Sequence, residues 1–231
     1  VTEPGGAVVP TPFVRSLRTA RSVAVAGIIF AVTLTATLYL FRASFPLNSV
    51  VGPETTLAAE DISRGRIALF LLPYVGISFL WFMGALNYSL GHADNRLFTT
   101  VFLSSGILFI GLSFVAGAVG AAELSALAAG FDAAQQSRYI PGMTVNVLLI
   151  NYAARMAAVF CLAVSTFGRL RKLLPPWLSW LGTATGLFLL LVPFGVDHVQ
   201  YVFPAWVTVL SIYLLIRDPG GQPRTQPPAH T

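Results

Sequence analysis

One cation stands where an apolar run should hold none. Arg155 lies inside the run 143–167, 12 residues from either end, and no Asp or Glu occurs in that run or in any other long apolar run of the chain. At 1.5 Å per residue this is roughly 18 Å of helix axis, further than a guanidinium reaches by stretching to an interface. An Arg at the centre of a membrane helix costs roughly 2.5–3.5 kcal/mol on insertion scales. The side chain therefore needs hydrogen-bond acceptors. Winding the run at about 100° per residue puts Thr144, Asn151, Arg155 and Thr166 within about 60° of one another. Tyr152 borders this polar stripe.

The planar donor fork of Arg suits a carboxylate or a phosphate. One reading is thus an anion or lipid-headgroup site centred on Arg155, lined by Asn151, Tyr152 and Thr144. A second makes Arg155 a structural lock held by helix carbonyls, Asn151 or Asp197. A third pairs it with an acidic residue on a partner's membrane helix. Asp197 belongs to Pro193-Phe194-Gly195-Val196-Asp197-His198, a short turn whose Pro and Gly allow it to dip towards Arg155. Asp197 and His198 would then stand at the outer mouth of the site.

Other reactive residues are few. His92 and Asp94 share the turn 91–96, His198 is placed at the opposite membrane face, and His230 is in the C-terminal tail. Histidines at opposite faces cannot share a haem or a metal ion, so no metal site and no cofactor are expected. The single Lys, Lys172, is in a loop, which excludes a retinal Schiff base, and the single Cys161 excludes an internal disulfide and a CxxC pair. No Ser–His or His–Glu arrangement falls at membrane depth and no Gly-rich phosphate loop occurs, so no catalytic residue is expected. The weakest reading is an outer-face lipid enzyme built on Asp197, His198 and Glu123. Gly182 and Gly186 form a GxxxG, which lets a second helix approach closely, within this chain or in a homodimer.

The elements that must position these residues emerge from composition. Of 231 residues, 55% are hydrophobic and only 10% charged, against roughly 25% charged in soluble domains. Mean hydropathy is +0.75. Too little polar side chain is present to cover a water-facing surface, so soluble enzymes and nucleic-acid binders are excluded despite the net charge of +5. Six runs are long enough to cross a hydrocarbon core that needs about 20 apolar residues: 22–41, 67–90, 97–120, 143–167, 177–194 and 199–216. The first comes after Arg15, Arg18 and Arg21 like a signal peptide, but 41–44 (Phe-Arg-Ala-Ser) is a poor cleavage site, so an uncleaved span is expected.

Counting Lys and Arg in alternate loops gives nine on one side and four on the other, with Arg155 inside a span. That bias places both termini in the cytoplasm. Thirteen Arg to one Lys, with abundant Ala and Gly, points to a bacterial genome rich in GC. Residues 1–21 read as a flexible basic cytoplasmic N-terminus, 22–216 as the transmembrane domain and 217–231 as a disordered cytoplasmic tail. The loops 42–66 and 121–140 are longer than a turn needs, and Leu124, Leu127 and Phe131 could form a short surface helix or a lid.

The sequence thus predicts an all-α, polytopic six-helix bundle in the bacterial inner membrane. The function expected is non-enzymatic binding or transport of a small anionic or lipidic ligand near Arg155. The alternative is an accessory or assembly subunit of a larger membrane complex. Expected partners are the bilayer, that ligand, and either a membrane protein or a second copy, with no nucleic acid.

Overall fold

The computed structural model describes residues 12–44, 59–89, 96–128, 139–192 and 198–216. Its regular elements are all helical. They are α1 (Pro12–Ser44), α2 (Ala59–Ser89), α3 (Arg96–Ala128), α4 (Tyr139–Asn146), a π-helix (Val147–Ala153), α5 (Ala154–Leu170), α6 (Pro176–Leu191), a 3-10 turn (Val199–Tyr201) and α7 (Val202–Ile216). Five helical stretches are long and apolar enough to cross a membrane: Ser22–Ser44, Glu60–Tyr88, Phe98–Ala126, Met143–Leu170 and Val199–Ile216. The chain is a multi-pass membrane protein. The apolar α6 is shorter, at 16 residues.

Local chemistry accounts for the helix ends and interiors. Glu60 and Asp61 occupy the first turn of α2 and both bond Arg64, favouring its N-terminus and bracing its first turn. Hydroxyls inside the apolar stretches are satisfied by their own helix: Thr33, Thr35, Thr37 and Ser113 each donate to the carbonyl four residues back. The basic turn after α5 closes on itself, with Leu173 and Leu174 N–H donating to the Gly168 carbonyl and Lys172 in the left-handed region at φ 55°. Pro176 then starts α6 at a position where no N–H is needed.

The helices run up and down. Each packs on its chain neighbour, and α7 returns to α1 to close the ring. The start of α1 and the end of α7 lie at one end of the bundle, its terminal end. In that half Gly27 meets Phe82 and Ser211, while at the far end Gly65 meets Ser44 and Leu124. The centre is aromatic. Phe30, Phe79, Phe82, Phe109, Phe160 and Phe203 come from five different helices, with centroid separations as short as 4.6 Å for Phe30–Phe79 and 5.1 Å for Phe109–Phe203. Tilted and edge-on rings at these distances are favourable.

Two expectations change. The fourth run is not one straight α-helix, because the π-helix interrupts it between α4 and α5. The segment 121–128 is no separate surface helix either: α3 continues through it, with Leu124 buried against Gly65 of α2. The remainder of that loop, Phe131 included, lies outside the described residues, as does most of 42–66.

Candidate functional site

The π-helix decides where the predicted site residues go. Its backbone bonds reach one residue further than α bonds, as when the Ala154 N–H donates to the Leu149 carbonyl. One residue is thereby inserted into the winding, which rotates α4 by about 100° relative to α5. The predicted stripe is broken at this point. Thr144, on α4, no longer shares the face of Arg155. Asn151 does meet Arg155, but through its backbone: Arg155 Nη1 donates to the Asn151 carbonyl oxygen at 2.8 Å. Tyr152 is 52% exposed on the bundle's outside.

Arg155 is also nearer the edge of the bundle than its place in the run implied. Gly186 packs on Leu162 and the Ala158 carbonyl, and Gly182 packs on Ser165. Antiparallel helices of equal rise then bring Leu191, the last residue of α6, level with Arg155. The middle of the fourth helix is therefore not the middle of its neighbour. Asp197 lies outside the described residues. His198 is exposed, in the left-handed region at φ 68°, with its ring 6.1 Å from that of Tyr201. Gly182 and Gly186 are buried at the contact between α5 and α6, and Gly182 also faces Trp206 of α7.

The space in the far half of the bundle lies on another face. Two small adjoining cavities, of about 20 and about 30 Å³, share Leu38, Leu149 and Gln200 as walls. Ala153, Ala154 and Ala157 form part of the inner wall. Arg155 is turned by about 100° or more from each of the three, so it points away from this space. The outer cavity has a polar rim made by Arg42 of α1, Asn146 of α4 and Gln200 of the 3-10 turn. The inner one is apolar, bounded by Leu34, Leu189 and the floor rings Phe109 and Phe203.

Gln200 is the unusual member. Its side-chain oxygen is buried and has no hydrogen-bond partner among the described residues. An unpaired buried acceptor costs roughly 1–3 kcal/mol, and it belongs to a residue that lines both cavities. Sequence reasoning passed over Arg42, Asn146 and Gln200. The only available signal was three polar residues at the far ends of apolar runs, which also describes ordinary interfacial residues.

Chemically, the lining combines a guanidinium, which is a donor only, with two amides that carry both donors and acceptors. Among the described residues, no three His, Cys, Asp or Glu come together. Fold and cleft together define a multi-pass helical membrane protein with a polar-rimmed, apolar-walled recess. No protein-family model, curated protein or solved structure matches the chain.

Proposed function

We propose that this chain is a non-enzymatic binding or transport protein of the bacterial inner membrane, with six spans and both termini cytoplasmic. It takes a small anionic or lipidic molecule into the far-end cleft. The orientation rests on the nine-to-four distribution of Lys and Arg between alternate loops. The sixth span is α6, which packs between α5 and α7 as a full member of the ring. The observation that carries the ligand reading is the unpartnered buried oxygen of Gln200, a residue that lines both cavities and shares the outer one with Arg42 and Asn146. Arg155, bonded to its own helix and turned away, is the neighbouring anchor and not the centre of the site.

The test is native mass spectrometry of the full chain extracted directly into mild detergent or nanodiscs. A small adduct should persist on the wild type and on Arg155→Gln, and be lost on Ala153→Phe, which fills the inner cavity. A bare wild-type chain would sink the reading. A stoichiometric protein partner in place of a small adduct would transfer support to the accessory-subunit alternative.

A further inference from the structure

The α5–α6 turn lies at the terminal end of the bundle, away from both cavities. It carries Arg169, Arg171 and Lys172, all exposed. Every Asp or Glu among the described residues, namely Glu60, Asp61 and Glu123, belongs to the far end. The C-terminal end of α5 favours cations, which accounts for their place but brings them no counter-ion. The turn itself is firm. The Arg171 N–H donates to the Phe167 carbonyl, those of Leu173 and Leu174 to Gly168, and Pro175 and Pro176 follow. Arg169 does not extend from it into water. Gly182 packs on Ser165 and Gly186 on Leu162, so Trp180 is about level with Phe167. The Arg169 guanidinium lies back over that indole, 5.2 Å from the ring centroid. Stacking occupies the face of a guanidinium and leaves its in-plane N–H donors free. Among the described residues these donors have no hydrogen-bond or carboxylate partner.

We propose that Arg169 and Trp180 form a headgroup seat for an anionic phospholipid, its phosphodiester taking the free donor edge and one acyl chain lying along α6. The seat is separate from the cavities and does not rest on the function proposed for them. Three features select this ligand. The first is depth. The span Met143–Leu170 ends at the turn, so a guanidinium lying back over Trp180 stands where indoles and lipid headgroups meet. The second is the neighbouring surface. Leu181, Ala184, Leu187 and Phe188 are exposed below Trp180 in one stripe along α6. Lipid chains cover such a stripe in any bilayer, so the anion delivered to its upper end is a lipid's own phosphate. The third is sign. A zwitterionic head would bring an ammonium up to Arg169, Arg171 and Lys172, with no carboxylate among the described residues of this end to receive it. An anionic head brings only acceptors, which the fork of Arg169 takes in charge-assisted bonds.

The experiment titrates the purified full chain, in a non-ionic detergent, with three probes read by native mass spectrometry. They are dioleoylphosphatidylglycerol, dioleoylphosphatidylcholine and glycerophosphoglycerol, the headgroup without chains. Wild type should bind the first about fivefold or more tighter than the second, and the third not measurably. Arg169→Gln should weaken phosphatidylglycerol about fivefold. Arg169→Lys should weaken it about two- to threefold, because the charge remains and the fork is lost. Both variants should leave phosphatidylcholine unchanged. Arg171→Gln removes the same charge from the same turn and should cost less than about twofold. Equal binding of the two phospholipids would overturn the proposal. So would equal losses from Arg169→Gln and Arg171→Gln, which mean diffuse charge in place of a seat, or an Arg169→Gln chain that binds like wild type, which reduces the stacked pair to a packing contact. Tight binding of glycerophosphoglycerol would make the ligand a soluble anion instead. Ala153→Phe should leave phosphatidylglycerol binding intact, and a loss there would move the lipid to the far half of the bundle.

Discussion

The two halves of this bundle treat the same problem in opposite ways. In the terminal half, Ser165, Ser179, Ser211 and the Trp206 indole N–H are buried without partners among the described residues, yet three of them are pressed into helix contacts: Ser165 and Trp206 onto Gly182, Ser211 onto Gly27. In the far half the Gln200 oxygen is likewise unpaired, but its residue lines two small cavities instead of packing onto a glycine. Close packing in the first case keeps the cost of unpaired polar atoms inside an otherwise dense contact. In the second the residue stands beside cavities of about 20 and about 30 Å³, which are of water size. Unpaired polar atoms are thus a signal of function only together with the room to pair them.

The sharpest way to break this comparison is at the boundary between the halves. Phe203 belongs to the aromatic cluster and to the floor of the inner cavity. Phe203→Ala should cost about 3–5 kcal/mol and join the cavity to the core, seen as the largest fall in thermal midpoint among these variants. A fall no larger than that of a surface substitution would mean that the cluster is not the core. Next is Gly182→Leu, which must displace Ser165 and the Trp206 ring. Overpacking of this kind costs about 1–3 kcal/mol, and thermal unfolding in detergent reports it. An unchanged midpoint would show the terminal half to be loosely packed.

Gln200→Leu should go the other way. Removing an unpaired buried acceptor stabilises the ligand-free chain by about 1 kcal/mol, while binding weakens. A destabilised variant would mean that Gln200 is already satisfied. The smallest effect is expected for Arg155→Gln, within about 1 kcal/mol by the same measurement, because only one hydrogen bond, to its own helix, is lost. A loss comparable to Phe203→Ala would restore Arg155 as a lock for the whole bundle.

The long helices were legible because apolar runs of membrane length have few other uses. The close approach at Gly182 was legible as a GxxxG, although whether it served this chain or a second copy was not. The polar stripe around Arg155 assumes constant winding across 143–167, and periodicity cannot reveal the π-helix in Val147–Ala153. Depth is hidden too. Twelve residues from each end of a run says little once α6, the neighbouring helix, stops level with Arg155. Gln200 was illegible because a lone polar residue at the start of an apolar run reads as interfacial. Only the fold shows that it lines cavities between α1 and the fourth helix. The aromatic centre was hidden for a similar reason, since 17 Phe are spread along the chain and spacing does not say which of them meet.

The shortness of α6 has a consequence for the solvent itself. Sixteen helical residues span about 24 Å, some 6 Å less than a typical hydrocarbon core. On the six-span reading proposed above, lipid beside that helix would thin to match it. The protein would then shape a dimple in its own bilayer, and membrane thickness would set how far the headgroup layer lies from the end of α6.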